Sequence, residues 1–325
     1  MCTANIRIID RSEDLPEMKS YNFFHSPELF RIIEQTPGNY PYMVIATDDK
    51  GEVIAHMFAT LRRRGSWLPP YLYTQSRVYG EGEYEDLNHK EELFGMMLKA
   101  LTHKLDRSLC LFIEFSDISE KMFGYQHFRS NGFFPLLWQE IHNSLHSKRP
   151  EERLSRHTQN IIKKSYKSGV ITREAETKEE IRNFYRLLRG FYRMKLRRLI
   201  PPYQQFLKLS KTGKAKILLT IYKNKIIGGC ACIYSENNAY LWYLASKAKS
   251  HPTLHPKTLT VWYAIQYAYE HQYAHISFMD VGLPWKKNPF RSFILSFGGK
   301  PVAKYRWFHF SIPFINRILS WFYSE

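Results

Sequence analysis

One pattern restricts the folds open to this chain more than any other: the order strand, strand, strand, helix, strand occurs twice, about 170 residues apart. In the first copy, residues 42–47 and 52–62 are strand-like runs on either side of Asp48-Asp49-Lys50-Gly51, a turn signal that makes them a hairpin. Residues 72–76 predict a third strand. Residues 89–105 set Leu93, Met96, Met97, Ala100, Leu101 and Leu105 at helical spacing, and 109–115 is a short buried-strand run. In the second copy, 216–222 and 225–234 form the hairpin around Lys223-Asn224, 238–245 the third strand, 258–271 the helix and 275–281 the last strand. A chain of 325 residues has room for two such units. The expected domains are residues 1–145 and 146–325.

Between the copies, 150–167 predicts a helix ending at Ser168-Gly169, and 178–199 an amphipathic helix stopped by Pro201-Pro202. The tail predicts a strand over 305–310 and, after Pro313, a short helix carrying Phe314, Ile315, Ile318, Leu319, Trp321 and Phe322. That helix is expected either to close the second repeat's core or to rest at a membrane interface with Arg317 toward anionic lipid.

The charge is divided unevenly. Residues 1–145 carry 15 Lys and Arg against 20 Asp and Glu, whereas 146–325 carry 32 against 10, and the whole chain is at +17. A one-sided excess of this size points to a polyanionic partner: a phosphorylated cofactor, nucleic acid or an anionic membrane surface. With 44% hydrophobic residues there is material for packed cores, which excludes disorder as the main state. The polar start and the lack of a long apolar run make the cytoplasm the expected location, with peripheral contact at the inner face of the membrane a variant of it. Cys2, Cys110, Cys230 and Cys232 are too few for a disulfide scaffold and are expected as reduced core thiols.

Four segments, taken in order, resemble parts of a known family. They are residues 23–30 (opening Phe23-Phe24-His25-Ser26), Asn131-Gly132-Phe133, residues 160–170, and Phe278-Met279-Asp280-Val281-Gly282 followed by residues 293–299. They are similar to the tandem acyltransferases of the GNAT superfamily, in the branch of the Fem-type peptidoglycan aminoacyltransferases and their acyl-CoA-dependent relatives. The resemblance implies an α/β fold of two tandem GNAT-like repeats, each a mixed, mostly antiparallel sheet flanked by helices. It implies transfer of an acyl group to an amine. No metal is expected, because Pro252 and Pro256 prevent a regular helix from presenting His251 and His255 as a pair.

A phosphate-binding loop is sought between the third strand and the helix of each repeat. In the first, Arg77-Val78-Tyr79-Gly80-Glu81-Gly82 fits the pattern, but Glu83, Glu85, Asp86, Glu91 and Glu92 follow and would repel phosphate. The resemblance instead assigns Arg77 and Tyr79 to the acceptor. In the second, the stretch after the third strand lacks glycine but carries Lys247, Lys249 and Lys257, with Pro256 near the first helical turn and Thr258 behind it, a credible site for the phosphates of acyl-CoA. Asp280, at the end of an apolar strand, is expected either as base or orienter for the amine or in a structural ion pair with a residue such as Arg291. Tyr243 is a candidate proton donor to the leaving thiolate, or a core residue. Arg156, Asn160, Lys163, Lys164 and Arg291 are expected to meet phosphate or carboxylate of an anionic, small or lipid-linked acceptor. The expected reaction is N-acylation, from acetyl-CoA or a longer acyl-CoA, of an amino group on a cell-envelope or sugar-derived precursor. The rivals are Fem-type aminoacyl transfer from aminoacyl-tRNA to a peptidoglycan precursor, and a non-enzymatic binder of nucleic acid or membrane surface. Against the first rival, the family's Phe-Lys lysine aligns with Ile294.

Overall fold

The computed structural model describes residues 4–66, 71–85, 87–193 and 200–323. They divide into two units, Met1–Trp138 with Ala303–Glu325, and Gln139–Val302. The expected helical residues 194–199, Asp86 and Cys2 lie outside the described residues.

In the first unit, β1 (Asn5–Ile9) is followed by α1 (Pro27–Glu34), whose start is fixed by Ser26: its hydroxyl accepts from the Leu29 N–H. The strands β2 (Asn39–Thr47), β3 (Val53–Ser66) and β4 (Tyr71–Tyr79) run antiparallel in sequence order, with a two-residue β5 (Glu83–Tyr84) against β3. The helix α2 (Lys90–Arg107) then crosses over to β6 (Phe112–Ser116), which is parallel to β4. Leu93, Phe94, Met97, Leu98 and Leu101 recur at the helical period and are fully buried against Val44, Met57, Ala59 and Phe115 of the sheet. The short α3 (Tyr125–Ser130) adds Phe128, and β7 (Phe134–Ser144) leads out of the unit.

The second unit repeats the order. After α4 (Arg156–Lys167), capped by Ser155, come β8 (Ile171–Glu174), α5 (Lys178–Tyr192) and α6 (Tyr203–Leu209). The start of α5 is a capping box, Thr177 accepting from the Glu180 N–H and the Glu180 carboxylate from the Thr177 N–H. Then β9 (Ala215–Tyr222), β10 (Lys225–Ser235) and β11 (Asn238–Ser246) form an antiparallel meander, and α7 (Pro256–Glu270) crosses over to β12 (His275–Phe278), parallel to β11. Residues 139–144 of β7 supply the next, antiparallel strand, from Ile141↔Phe278 to Ser144↔His275. A short α8 (Pro289–Leu295), capped by Asn288, follows. The helix α7 packs Leu259, Val261, Trp262 and Ile265 on Leu218, Cys230, Leu241 and Leu244. Cys110, Cys230 and Cys232 are buried free thiols, and burial raises the Cys110 thiol to about 12.

The chain then returns to the first unit through β13 (Lys300–Phe310), pairing Trp307↔Phe115 and Phe310↔Phe112 with β6, and ends in α9 (Pro313–Tyr323). The Trp307 ring stacks on Phe128 at 4.5 Å. The sequence ranges 1–145 and 146–325 placed this tail with the second repeat. Because β13 takes its place beside β6, the tail packs with the first, and α9, which buries none of its residues, does not close the second repeat's core.

Candidate active site

The two repeats differ where strand three meets the strand after the helix. In the first unit, β4 and β6 stay paired from Gln75↔Phe112 to Tyr79↔Ser116, and the Gly80 N–H prolongs the pairing to the Ser116 carbonyl at 2.7 Å. In the second, β12 pairs with β11 only through Tyr240↔Ser277, while β11 runs on to Ser246. The divergence has a local cause. After β12 the chain is held against β7, where the Gln139 N–H donates to the Gly282 carbonyl (3.0 Å) and Arg291 donates to the Gln139 side chain (2.7 Å). Gly282 turns there at φ +90°, a conformation that suits a residue without Cβ.

Beside this divergence β11 carries a bulge: Ala231 pairs Tyr243 and Cys232 pairs Leu241, which leaves Trp242 as the extra residue. The bulge changes which side chains share a face. Leu241 and Leu244 both join the core under α7, so Tyr240 and Tyr243 both face the other way, where Tyr243 meets Phe206 of α6 and Tyr192 of α5. Tyr243 is thus buried on the α5/α6 face, away from the crossover helix.

The same face holds a pair that the sequence reading missed. The register aligns Tyr240, Ser277 and His142 in one row across β11, β12 and β7, opposite to the α7 side occupied by Ile276, Phe278 and Ile141. His142 Nε2 lies 3.0 Å from Oε2 of Glu140, which is buried, while the imidazole is partly exposed. A carboxylate can only accept, so Nε2 carries the proton, and in the neutral ring Nδ1 is the nitrogen with the lone pair. The missed signal was period-two polarity over Glu140, His142 and Ser144, in a segment not read as a strand.

A cavity of about 1250 Å³ adjoins the end of β11 in this unit, lined by β8, α5, the β9–β10 turn and the loop leading to α7. Of the four residues expected to hold the donor, Lys247, Lys249 and Lys257 line it. Thr258 lies one position further along α7 with its N–H on the His255 carbonyl (2.9 Å). Lys247, Lys249 and Lys225 are exposed there, and among the described residues none has a carboxylate partner. Lys257 is set differently, its ammonium lying 3.9 Å from the Phe293 ring centroid. The acid on the wall, Glu180, is neutralised: the Arg173 guanidinium holds its carboxyl down at about 2. The helix α7 starts at Pro256, two residues before the expected 258, without a side-chain cap and without an acidic residue in its first turn. His255 before it is held left-handed at φ 46°, a costly conformation for a residue with Cβ. Exposed ammonium groups beside a helix start that carries no acid suit phosphate.

The corresponding loop of the first unit carries two carboxylates, both already bonded. Glu81 accepts from Lys90 (2.9 Å) and from the Ser119 N–H (3.0 Å), and Glu83 accepts from His56 (3.0 Å), the Ser20 hydroxyl and the N–H groups of Tyr21 and Asn22. Burial would raise the Glu83 carboxyl, but these donors outweigh it and lower it to about 2. His25, buried beside them and accepting from the Phe58 N–H, is lowered from 6.5 to about 4 by burial and then by His56. Folded, it stays neutral down to about pH 4; unfolded, it binds a proton below 6.5. Acidification through that window is therefore expected to remove on the order of 3 kcal/mol from the first unit. His25→Asn, which keeps an acceptor for Phe58, should flatten the slope of unfolding free energy against pH between 6.5 and 4. An unchanged slope in that variant places the titration on another group.

The remaining expected residues are dispersed. Arg77 donates to Glu114 (2.7 Å) and to the Tyr79 hydroxyl (3.0 Å) in the first unit. In the second, Arg156, Asn160, Lys163 and Lys164 form one exposed face of α4, opposite the buried Thr158, Ile162 and Ser165. Arg291 gives its donors to Gln139 and to the carbonyls of Leu283 and Lys286. Asp280 follows β12, half-buried, where the strands part. Ile294 is fully buried in the α7 core, so the position aligned with the family lysine does not face the cavity. Among the described residues no group of three or more His, Cys, Asp or Glu could hold a metal ion, and no helix is long and apolar enough to cross a membrane.

Residues 152–287 match the family described as acetyltransferase (GNAT) domain. No curated protein matches the sequence. Among solved structures the fold is similar to FemX, with TM-score 0.59 and 12% identity over 91% of this chain and 97% of the other. It is similar to a tandem GNAT protein from the clavulanic acid biosynthesis pathway, with TM-score 0.58 and 10% identity over 95% and 99%. It is also similar to L-PGS from Bacillus licheniformis, with TM-score 0.57 and 12% identity over 92% of each chain. At these identities the likeness is one of fold.

Proposed function

We propose, from the premise that this chain carries a GNAT acetyltransferase domain across residues 152–287, that it N-acylates an amino group of an anionic cell-envelope or sugar-derived acceptor with acyl-CoA as donor. The observation that carries this reading is the parting of β11 from β12 beside the lysine-lined cavity and the uncapped start of α7. The opening admits a thioester arm between the strands, and Lys247, Lys249 and Lys225 offer charge to its phosphates. The amine nitrogen bonds to the acyl carbon as the carbon–sulfur bond breaks. His142 Nδ1 takes the amine proton, with Glu140 holding the ring, and Tyr243 is assigned the return of a proton to the thiolate. Asp280 orients the amine at the mouth of the opening. Arg156, Asn160, Lys163 and Lys164 give the acceptor's phosphate or carboxylate a cationic face.

The test is calorimetric titration with acetyl-CoA and longer acyl-CoAs. Binding is expected to persist when salt is raised, and Lys247→Ala with Lys249→Ala to weaken it about tenfold, as two partly exposed phosphate contacts together contribute about 1.4 kcal/mol. No heat with any acyl-CoA removes the reading. The exposed basic face of α4 favours one second reading, aminoacyl transfer from aminoacyl-tRNA. That reading requires tRNA binding that falls steeply with salt and is lost in Lys163→Ala with Lys164→Ala.

A further inference from the structure

The C-terminal helix α9 is tied to the first unit through Asn316 and Tyr323. Asn316 accepts from the Phe310 N–H (3.0 Å) and donates to the Gly132 carbonyl (2.8 Å), and the Tyr323 ring stacks on Phe134 at 6.2 Å. At 100° per residue Asn316, Leu319, Ser320 and Tyr323 share one side, while Phe314, Ile318, Trp321 and Phe322 share the opposite one. Phe314, Trp321 and Phe322 are 73%, 72% and 68% exposed. Three large aromatic side chains side by side in water on one short helix form a contiguous apolar patch, the kind of surface that marks a docking site.

The charge around the patch identifies its occupant. Arg317 of α9 and Arg129 of α3 line one cavity of about 580 Å³ together with His309 and Trp321. Both arginines are exposed, and among the described residues neither has a carboxylate partner. The acid of that cavity, Asp106, is already engaged by His309 (3.3 Å) and the Ser311 hydroxyl (2.8 Å), and these bonds hold its carboxyl below the usual range against the pull of burial. No residue of α9 is acidic. An apolar aromatic face bordered by unpaired guanidinium groups is complementary to a surface with phosphate above hydrocarbon. A second copy fits less well, because two-fold pairing of α9 faces would bring Arg317 against its own image.

We propose that α9 docks in the interface of an anionic phospholipid bilayer, with Phe314, Ile318, Trp321 and Phe322 in the acyl boundary and Arg129 and Arg317 on headgroup phosphates. This is independent of the acyl-transfer reading and rests on the first unit alone.

The test is co-sedimentation of the full chain with vesicles of phosphatidylcholine and of phosphatidylcholine mixed with phosphatidylglycerol. The chain is expected to bind the mixed vesicles, more weakly as salt rises, and the neutral ones poorly. Phe314→Ser, Trp321→Ser and Phe322→Ser together should lower the partition at least about tenfold, since each aromatic ring carries more than a tenfold transfer preference when fully buried. Arg129→Gln with Arg317→Gln should remove the preference for phosphatidylglycerol. Because these side chains are exposed, melting temperature and circular dichroism are expected to match the parent, which separates lost docking from lost folding. A parent that ignores the mixed vesicles, or a triple serine variant that binds them like the parent, overturns the proposal. So does a concentration-dependent dimer that the same variant dissolves without any vesicle binding, which assigns the face to a second copy.

Discussion

His142→Ala is expected to lower the rate of acyl transfer by about 10²- to 10⁴-fold while leaving acyl-CoA affinity unchanged. The reasoning is geometric. The imidazole is partly exposed on the face that also carries Tyr240 and Tyr243, and its Nε2 is held by a carboxylate that is 1% exposed, so its free Nδ1 has one orientation. An amine must lose a proton as it attacks, and a base that is already oriented contributes without reorganisation. The measurement is release of CoA thiol in the presence of amino-sugar acceptors, with calorimetry of acyl-CoA binding beside it. Glu140→Gln should also lower turnover, because an amide can donate to Nε2 and so reverse the tautomer that frees Nδ1. Added imidazole is expected to restore part of the activity of a His142→Gly variant, which a purely structural histidine would not allow. Parental turnover in His142→Ala sinks the assignment and leaves Asp280 as the candidate base. In that case Asp280→Asn, folded and inactive, is the expected companion result.

The second large effect is on stability. Glu114 of β6 is buried and accepts from Arg77 (2.7 Å) and Gln75 (2.8 Å) on one oxygen and from Arg306 of β13 (3.0 Å) on the other. Arg306 is itself 4% exposed and lies over the Trp138 ring at 4.2 Å. Glu114→Gln removes the charge that two guanidinium groups share and leaves one of them buried without its carboxylate. A loss of about 3–5 kcal/mol is expected, in the range for breaking a buried ion pair by removing one partner. Denaturant unfolding followed by tryptophan fluorescence would read it, because Trp307 is the neighbour of Arg306 in the strand that Glu114 holds. A double-mutant cycle with Arg306→Gln should show strong coupling. A Glu114→Gln variant that unfolds with the parent would mean that Gln75 and solvent compensate fully. Arg77 was expected at the acceptor, but its guanidinium is drawn into this cluster, a commitment that no local pattern around Arg77 announces.

Much of the fold was legible because it follows from local periodicity. The hairpin around Lys223 and Asn224, both at positive φ, was readable from its flanking apolar runs, and α7 was readable to within two residues of its start at Pro256. The strand β7 was not. Its residues 139–144 alternate, but their apolar members are few, and it becomes a strand by adding to β12. The bulge at Trp242 was equally hidden: an extra residue in an apolar run has no signature of its own, yet it decides which way Tyr243 points. Lys247, Lys249 and Lys257 were singled out from their charge and their place between the third strand and the helix, and the structure sets all three on the wall of one cavity.

The amino-acid sequence by itself determined that two units of the same element order would form, that the second would be the basic one, and that a helix would start beside three lysines, because periodicity and charge are properties of short segments. Only the tertiary structure decided that β11 and β12 part while β4 and β6 do not, that Glu140 meets His142 on a face shared with Tyr243, and that the last strand joins the first unit. Those outcomes depend on pairings between residues far apart in the chain, whose energies are settled by which neighbour is available once everything else has packed.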